Sequence, residues 1–146
     1  MRTATENDRE RIIEILVTAF EKNLSVNAIC MKTGQRQVRI TKLMNYAIRM
    51  CSTYGKVWIT KDRNACALVL FPDQKRFSFR TLYWGLKLVG GVIGLANIWK
   101  VIAKEAKIKR HHPKTPFYHL WFIGVHAVHK GLGIGSELME KLIADA

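Results

Sequence analysis

Apolar residues recur along this chain in two periods, and the changes between them mark out its elements. Ile12, Ile13, Leu16, Val17 and Phe20 share one helical face behind the polar start Thr5-Glu6-Asn7-Asp8, which predicts a first helix. Met1 to Thr5 reads as a short edge strand. After a polar break at Thr33-Gly34-Gln35, Val38, Leu43, Met44, Ala47, Ile48 and Cys51 keep a helical period until Tyr54-Gly55. Lys56 to Thr60 and Cys66 to Phe71 read as strands around a turn at Asp62-Arg63-Asn64, an antiparallel hairpin closed by Pro72-Asp73. Phe117 to Val125 is an aromatic-rich strand; strict alternation puts Phe117, His119, Trp121, Ile123 and Val125 on one face and Tyr118, Leu120 and Phe122 on the other. A helical pattern then reaches Ala146.

Between that strand and the last helix runs His126-Ala127-Val128-His129-Lys130-Gly131-Leu132-Gly133-Ile134-Gly135-Ser136. Glycines at every second position let a backbone approach an anion closely. A following helix offers unpaired N–H groups and the positive end of its dipole, so the expected ligand is a pyrophosphate. The spacing is not G-x-G-x-x-G, and no Lys-Ser or Lys-Thr pair follows the glycines, which disfavours NAD and ATP in turn.

The segment resembles motif A of the GNAT acyl-CoA N-acyltransferases, V-x-x-x-x-[QR]-x-x-G-x-[GA], with Val125, Lys130, Gly133 and Gly135 at the matching positions. Lys130 replaces the usual Gln or Arg, keeping a positive charge but losing Arg's planar fork, and Ala127 stands where the family often has Pro. The resemblance implies an α/β (α+β) fold, a mixed central sheet flanked by helices. It also implies acetyl-CoA as cosubstrate. Ile123, Gly124 and Val125 would hold the pantetheine arm through strand backbone, and Lys130, Gly131, Leu132, Gly133, Ile134, Gly135 and Ser136 the pyrophosphate. Histone-type members place a glutamate base six residues before the motif valine. His119 stands there, and an imidazole suits proton removal from an ammonium acceptor. The family fold continues with further strands, so residues 1–146 are expected to form a single GNAT-like domain that stops after the motif A helix, leaving the usual general acid unassigned and a strand edge open to homodimerisation.

Residues 74–116 are expected to form a helical insert, and puromycin-type antibiotic acetyltransferases carry a similar one before a sequence like Ile123-Gly124-Val125. Phe77, Phe79, Tyr83 and Trp84 there are candidates for an acceptor pocket or for plain core. Leu88 to Trp99 is uncharged but too short to span a bilayer of about 20 apolar residues. Cys30, Cys51 and Cys66 have no metal-ligand spacing and favour a reducing compartment, and Met1 to Phe20 is interrupted by acids, unlike a signal peptide; the cytoplasm is expected.

The net charge is +13, with 20 basic residues against Asp62, Asp73 and Glu105 between residues 22 and 136. Such a field draws anions, coenzyme A or nucleic acid among them, and repels polyamines. All five histidines fall between His111 and His129. His126-x-x-His129 lacks a third ligand at recognisable spacing, so no metal is expected, and His111-His112 extends a basic surface. The expected activity is acetyl-CoA-dependent N-acetylation of a primary amine on a small molecule or peptide. The alternatives are a tRNA-directed acetyltransferase and a non-catalytic acyl-CoA-binding or nucleic-acid-binding regulator.

Overall fold

A computed structural model describes residues 1–24, 26, 35–74, 79–88, 90, 103, 104, 106, 107, 110, 111 and 117–146. Its strands are β1 (Arg2–Thr3), β2 (Gly55–Ile59), β3 (Ala65–Leu70) and β4 (His119–Val125), and its helices α1 (Arg9–Phe20), α2 (Arg36–Tyr54), α3 (Phe79–Leu88) and α4 (Ile134–Asp145). The sheet runs β1-β2-β3-β4; the fold is the expected α/β one, but every pairing among the described strands is antiparallel where a mixed sheet was expected.

β3 explains the layering. All six of its residues are buried, so the strand is covered on both faces, as an unbroken apolar run demands. Cys66, Leu68 and Leu70 face the cluster built by Ile12, Ile15 and Leu16 of α1 and Ile40, Leu43, Met44, Ala47 and Cys51 of α2. Ala65, Ala67 and Val69 face Leu138 and Leu142 of α4. Cys51 and Cys66 are free thiols whose pKa burial pushes up to about 12; Cys30 lies outside the described residues.

The helix faces differ from expectation in detail. Ile15, absent from the expected face of α1, is fully buried, because α1 lies close against β4 at Gly124. A Cβ at Gly124 would come within 3.2 Å of Ile15 Cγ2 and Leu16 Cδ2. In α2 the buried face begins at Ile40, and Val38 is half exposed. In α3, Phe79 and Tyr83 are exposed and so are not core, whereas Trp84 packs against the core cluster. Phe77, His112 and most of the expected insert, including the Leu88 to Trp99 run beyond Leu88 and Gly90, lie outside the described residues. Among the described residues no helix is long and apolar enough to cross a membrane.

Two features fix the sheet's geometry. At Gly55 a Cβ would lie 2.0 Å from the Val69 carbonyl oxygen, so the start of β2 depends on glycine. Gly55→Ala is therefore expected to destabilise the fold by about 2–3 kcal/mol, read as a lower denaturation midpoint with an unchanged slope. The hairpin turn holds Arg63 at φ 58°, a left-handed conformation unusual for a side chain of this size. Thr60 Oγ1 accepts from the Asn64 and Ala65 amides at 3.1 and 3.0 Å, and Arg63 Nε lies 3.3 Å from Asp8 Oδ1. The Asn64 carbonyl then accepts the His126 amide at 2.7 Å, so the turn anchors the chain where it leaves β4.

Candidate functional site

The site is built where β4 ends. The chain passes through a short 3-10 turn, Ala127–His129, and reaches Lys130 in extended conformation. Gly131 and Gly133 both take positive φ, +89° and +78°, where L side chains are strained. Gly133 is the N-cap of α4, and its carbonyl accepts the Glu137 amide at 3.0 Å as the first helical hydrogen bond. The amides ahead of Glu137 have no partner within the helix and face outward at its positive end. At Gly135 a Cβ would stand 3.4 Å from Val125 Cγ2, so a small residue lets α4 start close against β4.

These elements enclose an open concavity of about 370 Å³ lined by Val125, His129, Lys130, Gly131, Gly133, Ile134, Gly135 and Ser136. Among the described residues, chain neighbours aside, nothing lies within 4 Å of where a Cβ would sit on Gly131 or Gly133. An exposed lysine, a helix N-terminus and bare left-handed backbone together form a cradle suited to a phosphate chain.

The sequence profile of the acetyltransferase (GNAT) family matches residues 58–146, from the end of β2 through α4. The chain belongs to the GNAT acetyltransferase family. Its fold is also that of a solved structure from Corynebacterium glutamicum described as histone acetyltransferase HPA2 and related acetyltransferase. The two are 21% identical, with a TM-score of 0.67 over 99% of this chain and 70% of that one.

Within this GNAT framework the expected cofactor residues are only partly gathered. Val125, Lys130, Gly131, Gly133, Ile134, Gly135 and Ser136 line one concavity. Ile123 and Gly124 precede it on β4, and Leu132 is exposed outside its lining. Gly124 is buried against α1, which gives its missing side chain a packing role. His129 also lines the concavity; in the sequence its only signal is its spacing to His126, a metal-type pattern rather than a phosphate-site one. The two rings stand 6.2 Å apart, and His126 Nε2 is 3.4 Å from Glu14 Oε1 instead. Arg11, and secondarily His126, holds the Glu14 carboxyl below its ordinary pKa. Among the described residues no three His, Cys, Asp or Glu side chains are placed to hold a metal ion.

The main correction concerns β4. Phe122 pairs with Leu68 and Leu120 with Val69, leaving Trp121 as an extra residue in a β-bulge. Alternation is interrupted there. Ile123, Val125 and Leu120 lie on the α4 side, while Trp121 and Phe122 both pack toward α1 and α2. Trp121 stacks on Phe122 at 5.6 Å and meets Tyr46 edge-on at 6.1 Å, and Phe122 meets Phe20 edge-on at 5.2 Å. His119, opposite Leu70, therefore shares the α1–α2 face rather than that of Ile123 and Val125. Tyr118 stacks on Phe71, a residue of the α4-side cluster, with ring centroids 4.8 Å apart. His119 is half-buried and is not part of the concavity lining.

Proposed function

We propose that this GNAT chain is an acetyl-CoA-dependent N-acetyltransferase that acts on a primary amine of a small molecule or peptide. The observation carrying this reading is the cradle at the end of β4, where Gly131 and Gly133 are left-handed, α4 begins and Lys130 adds a cation. Those features fit a pyrophosphate, so Lys130 and the backbone from Gly131 to Ser136 would hold it, with the backbone of Ile123 to Val125 along the pantetheine arm. Bound there, acetyl-CoA supplies an activated acetyl thioester.

The chain's own contribution is orientation and charge. The α4 N-terminus and Lys130 neutralise phosphate, and the amides near Val125 offer hydrogen bonds to a developing oxyanion. His119, on the α1–α2 face, takes the proton that an ammonium acceptor must lose before it is nucleophilic. The basic surface disfavours polyamine acceptors. The buried free thiols of Cys51 and Cys66 suit a cytoplasmic location, and the β4 edge away from β3, unpaired among the described residues, suits a further strand or a second copy.

The test is thiol release from acetyl-CoA across a panel of primary amines. His119→Ala is expected to lower kcat by about 100-fold or more while leaving acetyl-CoA affinity within about twofold. Unchanged turnover would transfer the search for the base across the bulge to Tyr118, tested by Tyr118→Phe. Tight acetyl-CoA binding with no acceptor turned over would favour a non-catalytic acyl-CoA-binding module.

A further inference from the structure

A second concavity, of about 360 Å³, lies on the helical layer well away from the β4 cradle in sequence and in lining. Its walls are Glu6, Arg9, Arg49, Ser52, Thr53, Arg80 and Trp84. α2 and α3 meet there: Tyr54 Oη and Thr81 Oγ1 are hydrogen-bonded at 2.8 Å, and the Arg49 guanidinium stands 5.9 Å from the Trp84 ring centroid. The Arg80 guanidinium stands over the same ring at 5.3 Å. A guanidinium over an indole is attracted by the ring's negative face and loses mobility, and it keeps its charge for an approaching anion. Among the described residues Glu6 is the one carboxylate in this lining, and it is already engaged by Arg9 at 3.1 Å. Arg9 Nε and Nη2 in turn donate to Asn45 Oδ1 at 3.2 and 2.9 Å, which fixes that wall.

The positive charge continues along the seam. Neither α2 nor α3 contains an acidic residue. Lys42 and Arg49 on α2, and Arg80 and Lys87 on α3, are each seven residues apart and all exposed. Seven residues make nearly two helical turns, so each pair lies on one side of its helix about 10 Å apart. The contacts of Arg49 with Trp84 and of Tyr54 with Thr81 run the two helices antiparallel, with the Arg49 and Arg80 guanidiniums both at Trp84 where the helices meet.

We propose that the α2–α3 seam is a docking surface for the phosphodiester backbone of a single-stranded nucleic acid. Two rows of exposed cations facing no carboxylate of their own helices complement a chain of phosphates, not a single compact anion. With guanidinium groups already over Trp84, the contacts fall on phosphate rather than on stacked bases, so binding is insensitive to sequence. The surface uses none of the cradle residues and stands or falls independently of the acetyl-CoA reading.

The experiment is fluorescence anisotropy of a labelled oligouridine of about twelve nucleotides against the full chain, over a salt series, with and without saturating acetyl-CoA. The proposal expects binding that weakens steeply with salt and persists when acetyl-CoA is present. It expects Arg49→Gln to weaken binding about fivefold and to flatten the slope of log K against log salt by about 0.7, and Arg49→Lys to keep the slope. Arg49 is exposed, and an unchanged far-ultraviolet dichroism and melting curve would show that each variant is folded. Binding unaffected by Arg49→Gln, or displaced by acetyl-CoA into the cradle, would overturn it. So would preference for anionic vesicles over the oligonucleotide.

Discussion

Gly133→Val is expected to reduce acetyl-CoA affinity by about 100-fold or more while leaving the sheet and core intact. Gly133 sits at φ +78° as the N-cap of α4, a conformation that costs a β-branched residue about 1–3 kcal/mol. Relieving that strain rotates the first turn of α4 and so re-aims the amides that the proposed pyrophosphate needs. A valine that tolerated the strain would still project into the concavity, where, chain neighbours aside, no atom of the described residues lies within 4 Å of the Cβ position. Both routes damage the same ligand site. Gly85→Ala in α3 is the matched control: its Cβ meets nothing within 4 Å among the described residues and its backbone is helical, so affinity should not change and stability should rise slightly. Calorimetric titration of both variants checks the pair. Equal affinity in wild type and Gly133→Val would remove the pyrophosphate from this turn.

The largest expected loss of stability is at Asp8. Its carboxylate, only 3% exposed, receives Arg2 Nη1 and Nη2 at 2.7 and 2.8 Å, the Thr5 amide and hydroxyl at 2.9 Å each, and the Arg63 guanidinium at 3.3 Å. One side chain thus ties β1, the start of α1 and the hairpin turn that anchors His126. Asp8→Asn leaves two guanidiniums facing a neutral group and should cost about 3 kcal/mol. The hydrogen bond from Arg2, followed by that from the Thr5 amide, holds the Asp8 carboxyl far below the usual carboxylate range. Because the folded pKa is depressed, this contribution is complete above the unfolded value of about 3.9 and is lost as pH falls below it toward the folded pKa. Melting curves at stepped pH should show the wild type losing its advantage over Asp8→Asn below about pH 4. A difference that stayed constant into acid would mean that the Asp8 charge is not what stabilises the fold.

The elements that periodicity made legible were those whose apolar stripes are local: α1, α2, the β2–β3 hairpin and the strand before the glycines. The glycine turn was legible because left-handed backbone has few residue solutions, and Gly131 and Gly133 are both at positive φ. The bulge at Trp121 was not legible. Trp121 and Phe122 are both large and apolar, so a change of phase between them leaves no mark in the pattern, yet it moves His119 to the other side of the sheet from Val125. Asp8 read as part of a helix start, which it is; its partners Arg2 and Arg63 belong to tertiary structure that no local pattern encodes. Gly124 matched a family motif, whereas its neighbours Ile15 and Leu16 supply a packing reason for the residue. Arg49 and Trp84 likewise meet only once α2 and α3 are side by side.

The central claim is that the turn from Lys130 to Ser136 holds the phosphates of acetyl-CoA. Its most direct measurement is calorimetric titration of the chain with acetyl-CoA and with acetylpantetheine, which carries the same thioester arm without phosphates. Micromolar binding of the first, and binding at least about 100-fold weaker for the second, is the predicted result, because phosphate contacts at a helix N-terminus and a lysine would supply about 3 kcal/mol of the affinity. Equal affinity for the two would contradict the claim, since the arm alone would then account for binding and the glycine turn would be only a connection between β4 and α4.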